Sequence, residues 1–168
     1  MKTAKAFTLV EILIVVVLIG VLAAIVIPTV AKSGIAARET ALASDLSLLR
    51  RFVLIYKSQH QEVSPGYPSG DVTATPTGDV FTEQATLSSD GSGGTAAKGT
   101  PGYNYGPYLS RIPANPLNDL NTVQMVPNGT PFPVAADGSH GWIFKPETGE
   151  IRPDNIGSND RGMAYYDY

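Results

Sequence analysis

The chain is predicted to be an α+β protein, with one long N-terminal α-helix packed on a small antiparallel β-sheet. Three observations predict this. From Phe7 to Ile27 the chain runs 21 residues with Glu11 as its only ionisable side chain. Beyond Pro28, the positions Ile35, Leu42, Leu46, Leu49, Val53 and Tyr56 are spaced by 7, 4, 3, 4 and 3, one apolar stripe on a helix. Composition then changes near Glu62: residues 63–168 hold 15 of the 17 glycines and 12 of the 13 prolines, with short strand-like pieces between turn signals.

The first six residues, Met1 to Ala6, carry Lys2 and Lys5. The apolar run after them exceeds the ~7–15 residues of an ordinary secretory signal, and no small-residue A-x-A site follows it. About 20 apolar residues at ~1.5 Å each cross ~30 Å of hydrocarbon, so the run is long enough to span a bilayer. The leading positive charge places the N-terminus in the cytoplasm and the remainder outside. A carboxylate inside such a run is costly without a partner, which marks Glu11 as a functional residue. The plainer reading is a signal anchor in which Glu11 is tolerated near the helix start.

The amphipathic half follows, with Lys32, Glu39, Asp45, Arg50 and Lys57 mostly off the stripe. A single helix from about Leu9 to about Gln59 would be ~75 Å long. Gly20 and Ala24 form a small-xxx-small pair that allows close helix approach. Pro28 removes a backbone donor and predicts a kink or a locally melted stretch, a straight helix with a mild bend being the other expectation. Gly34 weakens the helix by ~1 kcal/mol relative to Ala.

Residues 1–62 carry a net charge of +3 and residues 63–168 a net charge of −6. The acidic remainder has no basic patch with interleaved aromatics, so nucleic acid is excluded as a partner. From Ser64 to Gly102 the chain is rich in Gly, Ser, Thr and Pro, and its Gly run, Ser88 to Thr95, reads as a surface loop. No strand precedes it and no Lys-Ser or Lys-Thr follows it, so it is not a phosphate cradle. Thr122 to Val126 is strand-like and ends at the turn Pro127-Asn128-Gly129-Thr130, and on the other side Pro131 and Pro133 flanking Phe132 suggest an edge strand or extended segment. Gly141 to Lys145, Pro146 to Gly149 and Glu150 to Arg152 read as a β-hairpin whose Trp142, Phe144 and Ile151 pack on the helix stripe.

No catalytic constellation stands out. His60 and His140 are the two histidines, and Asp137, Ser139 and His140 are neighbours in a Gly-flanked turn rather than a triad. No zinc-type ligand spacing is present. Asn128-Gly129-Thr130 matches a glycosylation sequon but reads first as a turn. The tail Tyr165-Tyr166-Asp167-Tyr168 is aromatic, suited to a neighbouring subunit or to its own domain.

The segment Lys5-Ala6-Phe7-Thr8-Leu9-Val10-Glu11-Ile12-Leu13-Ile14-Val15 closely resembles the N-terminus of type IV pilins and type II secretion pseudopilins, and Pro28 matches the family's usual proline. The resemblance covers roughly the first 60 residues. It implies a pilin-like fold, a leader at 1–6, a membrane and filament-core helix at 7–28, its amphipathic half at 29–61 and an extracytoplasmic β-domain with long loops at 62–168. It implies cleavage by a prepilin peptidase between Ala6 and Phe7 and N-methylation of Phe7. The family normally has Gly before the cut, where this chain has Ala6, the next smallest residue. Glu11 then neutralises the new amine of Phe7 on its own or a neighbouring chain, since a buried charge is tolerated only when paired. The stretch Gly20 to Pro28 can lose helicity in the filament. Further implied are a helical homo-oligomer, an assembly platform membrane protein and an assembly ATPase. The precursor would cross the inner membrane once and end in a periplasmic or cell-surface filament.

The chain has no Cys. Many type IV pilins close a C-terminal loop with a disulfide, whereas the main pseudopilins often lack one, and some of those bind calcium there instead. Calcium takes six to eight oxygens, and Asp154, Asn155, Asn159 and Asp160 are the candidates, although their spacing fits no EF-hand and solvated turn residues are the other reading. Set against the filament subunit is a bitopic, membrane-anchored extracytoplasmic binding protein that does not polymerise.

Overall fold

A computed structural model describes residues 8–168, with the side chains at 28, 29, 31 and 32 left out. The predicted leader, Ala6 and Phe7 lie outside the described residues, as does the side chain of Pro28. The chain divides into two compact units, residues 1–38 and 39–168.

Helix α1 spans Leu9–Gln59 without a break at Gly20, Pro28 or Gly34. Its stretch Leu9–Ile27 has a mean hydropathy of 3.3 over 19 residues and none of it is buried. Apolar side chains that face outward all round a helix suit lipid or other helices rather than water.

The second unit is built on the α1 residues from Glu39 onward. Leu42, Leu46, Leu49, Val53 and Tyr56 are buried, as the periodicity predicts, and Phe52 joins them. Ile35, the first member of the predicted stripe, is 49 % exposed, because it precedes the portion of α1 on which the second unit is built. The partners are Phe81, Ala85, Leu109, Ile112, Val123, Trp142, Phe144 and Ile151. Phe52 meets Phe81 edge-on at 5.3 Å between ring centroids, a favoured aromatic geometry.

The segment after α1 is more ordered than a surface loop. Helix α2 spans Gly78–Thr86, with Thr77 as its N-cap accepting from the Val80 N–H at 3.3 Å. Strands β1 (Ser88–Ser89) and β2 (Thr95–Ala96) form a small antiparallel pair. The organiser is Gln84, fully buried on α2. Its amide donates to the carbonyls of Tyr67 and Gly93 and accepts from the Gly66 N–H at 2.7 Å. The chain folds there because one side chain satisfies three backbone groups that would otherwise be buried unpaired. Gly93 is required where it sits: φ is +84° and a Cβ would lie 2.6 Å from the Tyr56 hydroxyl.

The main sheet contains β3 (Val123–Met125), β4 (Trp142–Lys145) and β5 (Glu150–Pro153) in the order β3-β4-β5. The hairpin β4–β5 is antiparallel, as expected, with its turn closed by the Gly149 N–H on the Lys145 carbonyl at 2.9 Å. The expected all-antiparallel sheet is corrected at β3, which runs parallel to β4 with Val123 opposite Trp142. The 126–141 connection is long enough for this, since a parallel crossover needs about a dozen residues.

Strand β4 is buried on both faces. Trp142 and Phe144 pack on the α1 side, while Ile143 joins Val126 and Tyr166 in a second cluster. The Arg152 guanidinium lies over Phe132 at 4.7 Å and over Tyr166 at 5.0 Å. The C-terminal tyrosines belong to their own domain. Tyr165 donates to Glu39 at 2.9 Å, Tyr166 donates to the Pro133 carbonyl, and Arg50 donates to the Tyr168 carbonyl at 2.9 Å. These contacts close the domain onto α1 in a chain that has no disulfide.

Candidate functional site

The ends of the chain hold the two sets of residues that the sequence marks for function. At the start of α1, Thr8 and Glu11 form a reciprocal cap. The Glu11 carboxylate accepts from the Thr8 N–H and from its hydroxyl, both at 2.9 Å, and the Glu11 N–H donates to the Thr8 hydroxyl at 3.2 Å. Thr-x-x-Glu is a capping-box spacing, in which each side chain satisfies the other residue's otherwise orphaned N–H. The Glu11 carboxylate therefore has a partner within its own chain, two bonds of it to Thr8. Sequence reasoning assigned Glu11 an ionic partner only, although the Thr8-x-x-Glu11 signal was present to find the cap.

Such a cap fixes where the carboxylate points. It is held at the N-terminal end of the helix, the end that favours negative charge. It leaves the other carboxylate oxygen and further lone pairs to meet a cation, because an ionised carboxylate accepts at about four sites. Of the other assembly residues, Gly20 has open space around it, so nothing in the single chain requires a glycine there.

The C-terminal oxygen-bearing side chains mostly bond to the chain's own groups. Asp154 is fully buried, so it is not a solvated turn residue. Its Oδ1 accepts from the N–H groups of Asp137 and Gly138, both at 3.0 Å, and its Oδ2 accepts from the His140 N–H at 2.9 Å. Asn155 is buried and accepts through Oδ1 from the amide of Asn115, which also donates to the Gly141 carbonyl. Asn159 accepts from the N–H groups of Arg161 and Met163 and donates to the Tyr168 hydroxyl. Asp160 is exposed. Three of the four calcium candidates are thus engaged with the chain's own groups, and among the described residues no cluster of three or more His, Cys, Asp or Glu can hold a metal ion. Asp154 instead acts as an internal hydrogen-bond acceptor for backbone N–H groups, fixing the 137–140 loop to the end of β5.

The histidines are structural or peripheral. His60 is buried and stacked on Tyr56 at 3.8 Å. Its Nδ1 donates to the Tyr56 carbonyl at 2.8 Å, and its Nε2 pairs with the Ser89 hydroxyl at 3.0 Å. Burial also pushes the Tyr56 phenol up from its ordinary pKa. Ser139 Oγ lies 2.8 Å from His140 Nδ1, but the Asp137 carboxylate accepts from the Ser139 N–H rather than orienting the imidazole. Those hydrogen bonds from Ser139 hold the Asp137 carboxyl below the usual range. The three residues form a turn. Asn128 of the sequon is likewise engaged: its amide donates to the Val72 carbonyl at 3.1 Å and accepts from the Tyr67 hydroxyl.

The family model of the prokaryotic N-terminal methylation motif matches residues 1–27. This is the prepilin-type signal of type IV pilins and pseudopilins, and it implies processing by a prepilin peptidase and association with a membrane. Together with Leu9–Ile27 it fits a membrane-anchored precursor and suggests a structural subunit rather than an enzyme. No curated protein and no solved structure matches the chain.

Proposed function

We propose that this chain is a structural subunit of a type IV pilus-like filament. It is inserted once through the inner membrane with its N-terminus in the cytoplasm, cleaved between Ala6 and Phe7, and methylated on the new amine. An assembly ATPase and a platform membrane protein then draw it into a helical polymer whose core is the stretch 7–28. The observation that carries this reading is the methylation motif over residues 1–27, with its single carboxylate Glu11 in an otherwise apolar span.

The driving force is packing rather than transfer from water. Lipid and neighbouring helices are equally apolar, so helix contacts and the Phe7–Glu11 pairing decide the register. The filament emerges into the periplasm or at the cell surface. Between a pilus and a type II secretion pseudopilus, the lack of Cys favours the latter.

One observation favours a second reading. Thr8 already satisfies Glu11 within its own chain, which suits a plain membrane anchor for an extracytoplasmic binding domain. Mass spectrometry of the membrane-extracted protein separates the two. The filament subunit is expected to begin at a methylated Phe7. Recovery of the chain with Met1 to Ala6 still attached contradicts it and favours the anchor.

A further inference from the structure

We propose that Asn128 is a self-modifying site: the Gly129 backbone nitrogen attacks the side-chain carbonyl carbon of Asn128, ammonia leaves, and water opens the resulting succinimide ring to aspartate or isoaspartate. The reaction needs no partner molecule and is independent of assembly.

The reactive step lies in the turn Pro127-Asn128-Gly129-Thr130, closed by the Thr130 N–H on the Pro127 carbonyl at 3.1 Å. The attacking nitrogen and the carbon it attacks are joined through the Asn128 backbone, so the ring closes within one residue. Glycine puts no Cβ beside the nucleophile, and Gly129, with φ at +72°, has open space around it. Both residues are exposed, so water reaches them.

A backbone amide nitrogen is a poor nucleophile, because its lone pair is shared with the carbonyl. It needs a base to take its proton, and the fold supplies one. The Glu147 Oε2 accepts from the Gly129 N–H at 3.2 Å, within the reach of a general base. The same oxygen lies 3.2 Å from the Lys145 ammonium. The Gly129 N–H, and then Lys145, hold the Glu147 carboxyl below its ordinary range, so it is ionised at neutral pH. On the other side the hydroxyl of Tyr67, a buried residue, donates to Asn128 Oδ1. That fixes a donor where negative charge grows as the nitrogen adds.

Glu147 takes the Gly129 proton as the new N–C bond forms and returns it to the Asn128 amide nitrogen, which departs as ammonia. Water then adds at either ring carbonyl. The bond from Asn128 Nδ2 to the Val72 carbonyl, at 3.1 Å, is lost with the ammonia. The product carboxylate is acceptor-only, so it cannot renew that bond, and the turn lets go of Val72.

Full-length protein in detergent micelles is held at neutral pH. The peptide containing residue 128 is followed by mass spectrometry, and isoaspartate is counted by enzymatic methylation. Conversion is expected to run about tenfold faster in the folded chain than in the same chain in urea, less than a general base alone gives, because the bond to Val72 must also break. Glu147→Gln, at a side chain 46 % exposed, should slow the folded chain about tenfold, with folding checked by the fluorescence of the buried Trp142. Conversion no faster in the folded chain than in urea overturns the proposal, the bonds to Tyr67 and Val72 then shielding Asn128. An unchanged rate in folded Glu147→Gln overturns it as well.

Discussion

Glu11→Ala is expected to abolish filaments while leaving the protein in the membrane. Cleavage before Phe7 would release an amine into a setting of low dielectric, and Glu11 is the only acid in the run from Phe7 to Ile27. Removing one partner of a buried pair typically costs about 3–5 kcal/mol, because the other charge is left uncompensated. At ~1.4 kcal/mol per factor of ten, that weakens each docking step by roughly two to three and a half powers of ten. Membrane retention is a separate matter: it depends on the apolar span Leu9–Ile27, which becomes more apolar when Glu11 is replaced by Ala.

The capping box makes the result sharper. Glu11 has two roles that Ala removes together, a charge and a cap on Thr8. Gln also serves at the third helical position of such a cap, yet carries no charge. Glu11→Gln should therefore fail in assembly as Ala does. Native filament yield from Glu11→Gln, measured in the sheared or detergent-resistant fraction, would show that the cap and not the charge is what assembly needs.

The second large effect is on stability. Asp154→Ala is expected to destabilise the second unit by about 1.5–4.5 kcal/mol, from three hydrogen bonds to a fully buried side chain lost at ~0.5–1.5 kcal/mol each. The N–H groups are those of Asp137, Gly138 and His140. The loop they hold lies beside the Asn115–Asn155 pair and leads into the central strand β4, so loosening it loosens that end of the sheet. Asp154→Asn should cost less, because one amide oxygen can still accept from Asp137 and Gly138 while only the His140 bond is lost. Denaturant unfolding followed by Trp142 fluorescence reads both variants, Trp142 being fully buried. Equal stability of native and Asp154→Ala protein would contradict the role given to this carboxylate. An ordinary solvated turn residue would give a change within about 0.5 kcal/mol.

Periodicity explains what was legible in the chain. The stripe from Leu42 to Tyr56 and the β4–β5 hairpin repeat at 3.6 and 2 residues, and both fold where that spacing places them. Phe52 escaped because it sits beside the stripe and is drawn in by Phe81, a residue remote in sequence. The direction of β3 was not legible, because it depends on the path of a long connection rather than on the strand's own residues. Ser88 to Thr95 looked like loop by composition. It is ordered by Gln84, whose amide reaches Gly93, and by His60, which pairs with Ser89, and neither contact leaves a local pattern.

The candidate site divides in the same way. Glu11 is conspicuous as a lone carboxylate, and its cap is written in Thr8, three residues before it. Asp154, Asn155 and Asn159 drew notice as oxygen-bearing side chains in a Gly-rich tail. What they bind is set by the 137–140 loop and Asn115, which return from elsewhere in the chain. An Asp-rich segment looks alike whether its oxygens face a cation or backbone N–H groups; only tertiary structure tells the two apart.

The central claim is that proteolysis creates an amine which Glu11 neutralises when subunits stack. A density map of the isolated polymer, at a resolution that shows side chains, tests it most directly. The account predicts a chain that starts at Phe7, with its amine within salt-bridge distance of a Glu11 carboxylate on the same or an adjacent subunit. A polymer whose subunits keep residues 1–6, or whose Glu11 faces solvent with only Thr8 beside it, would contradict it.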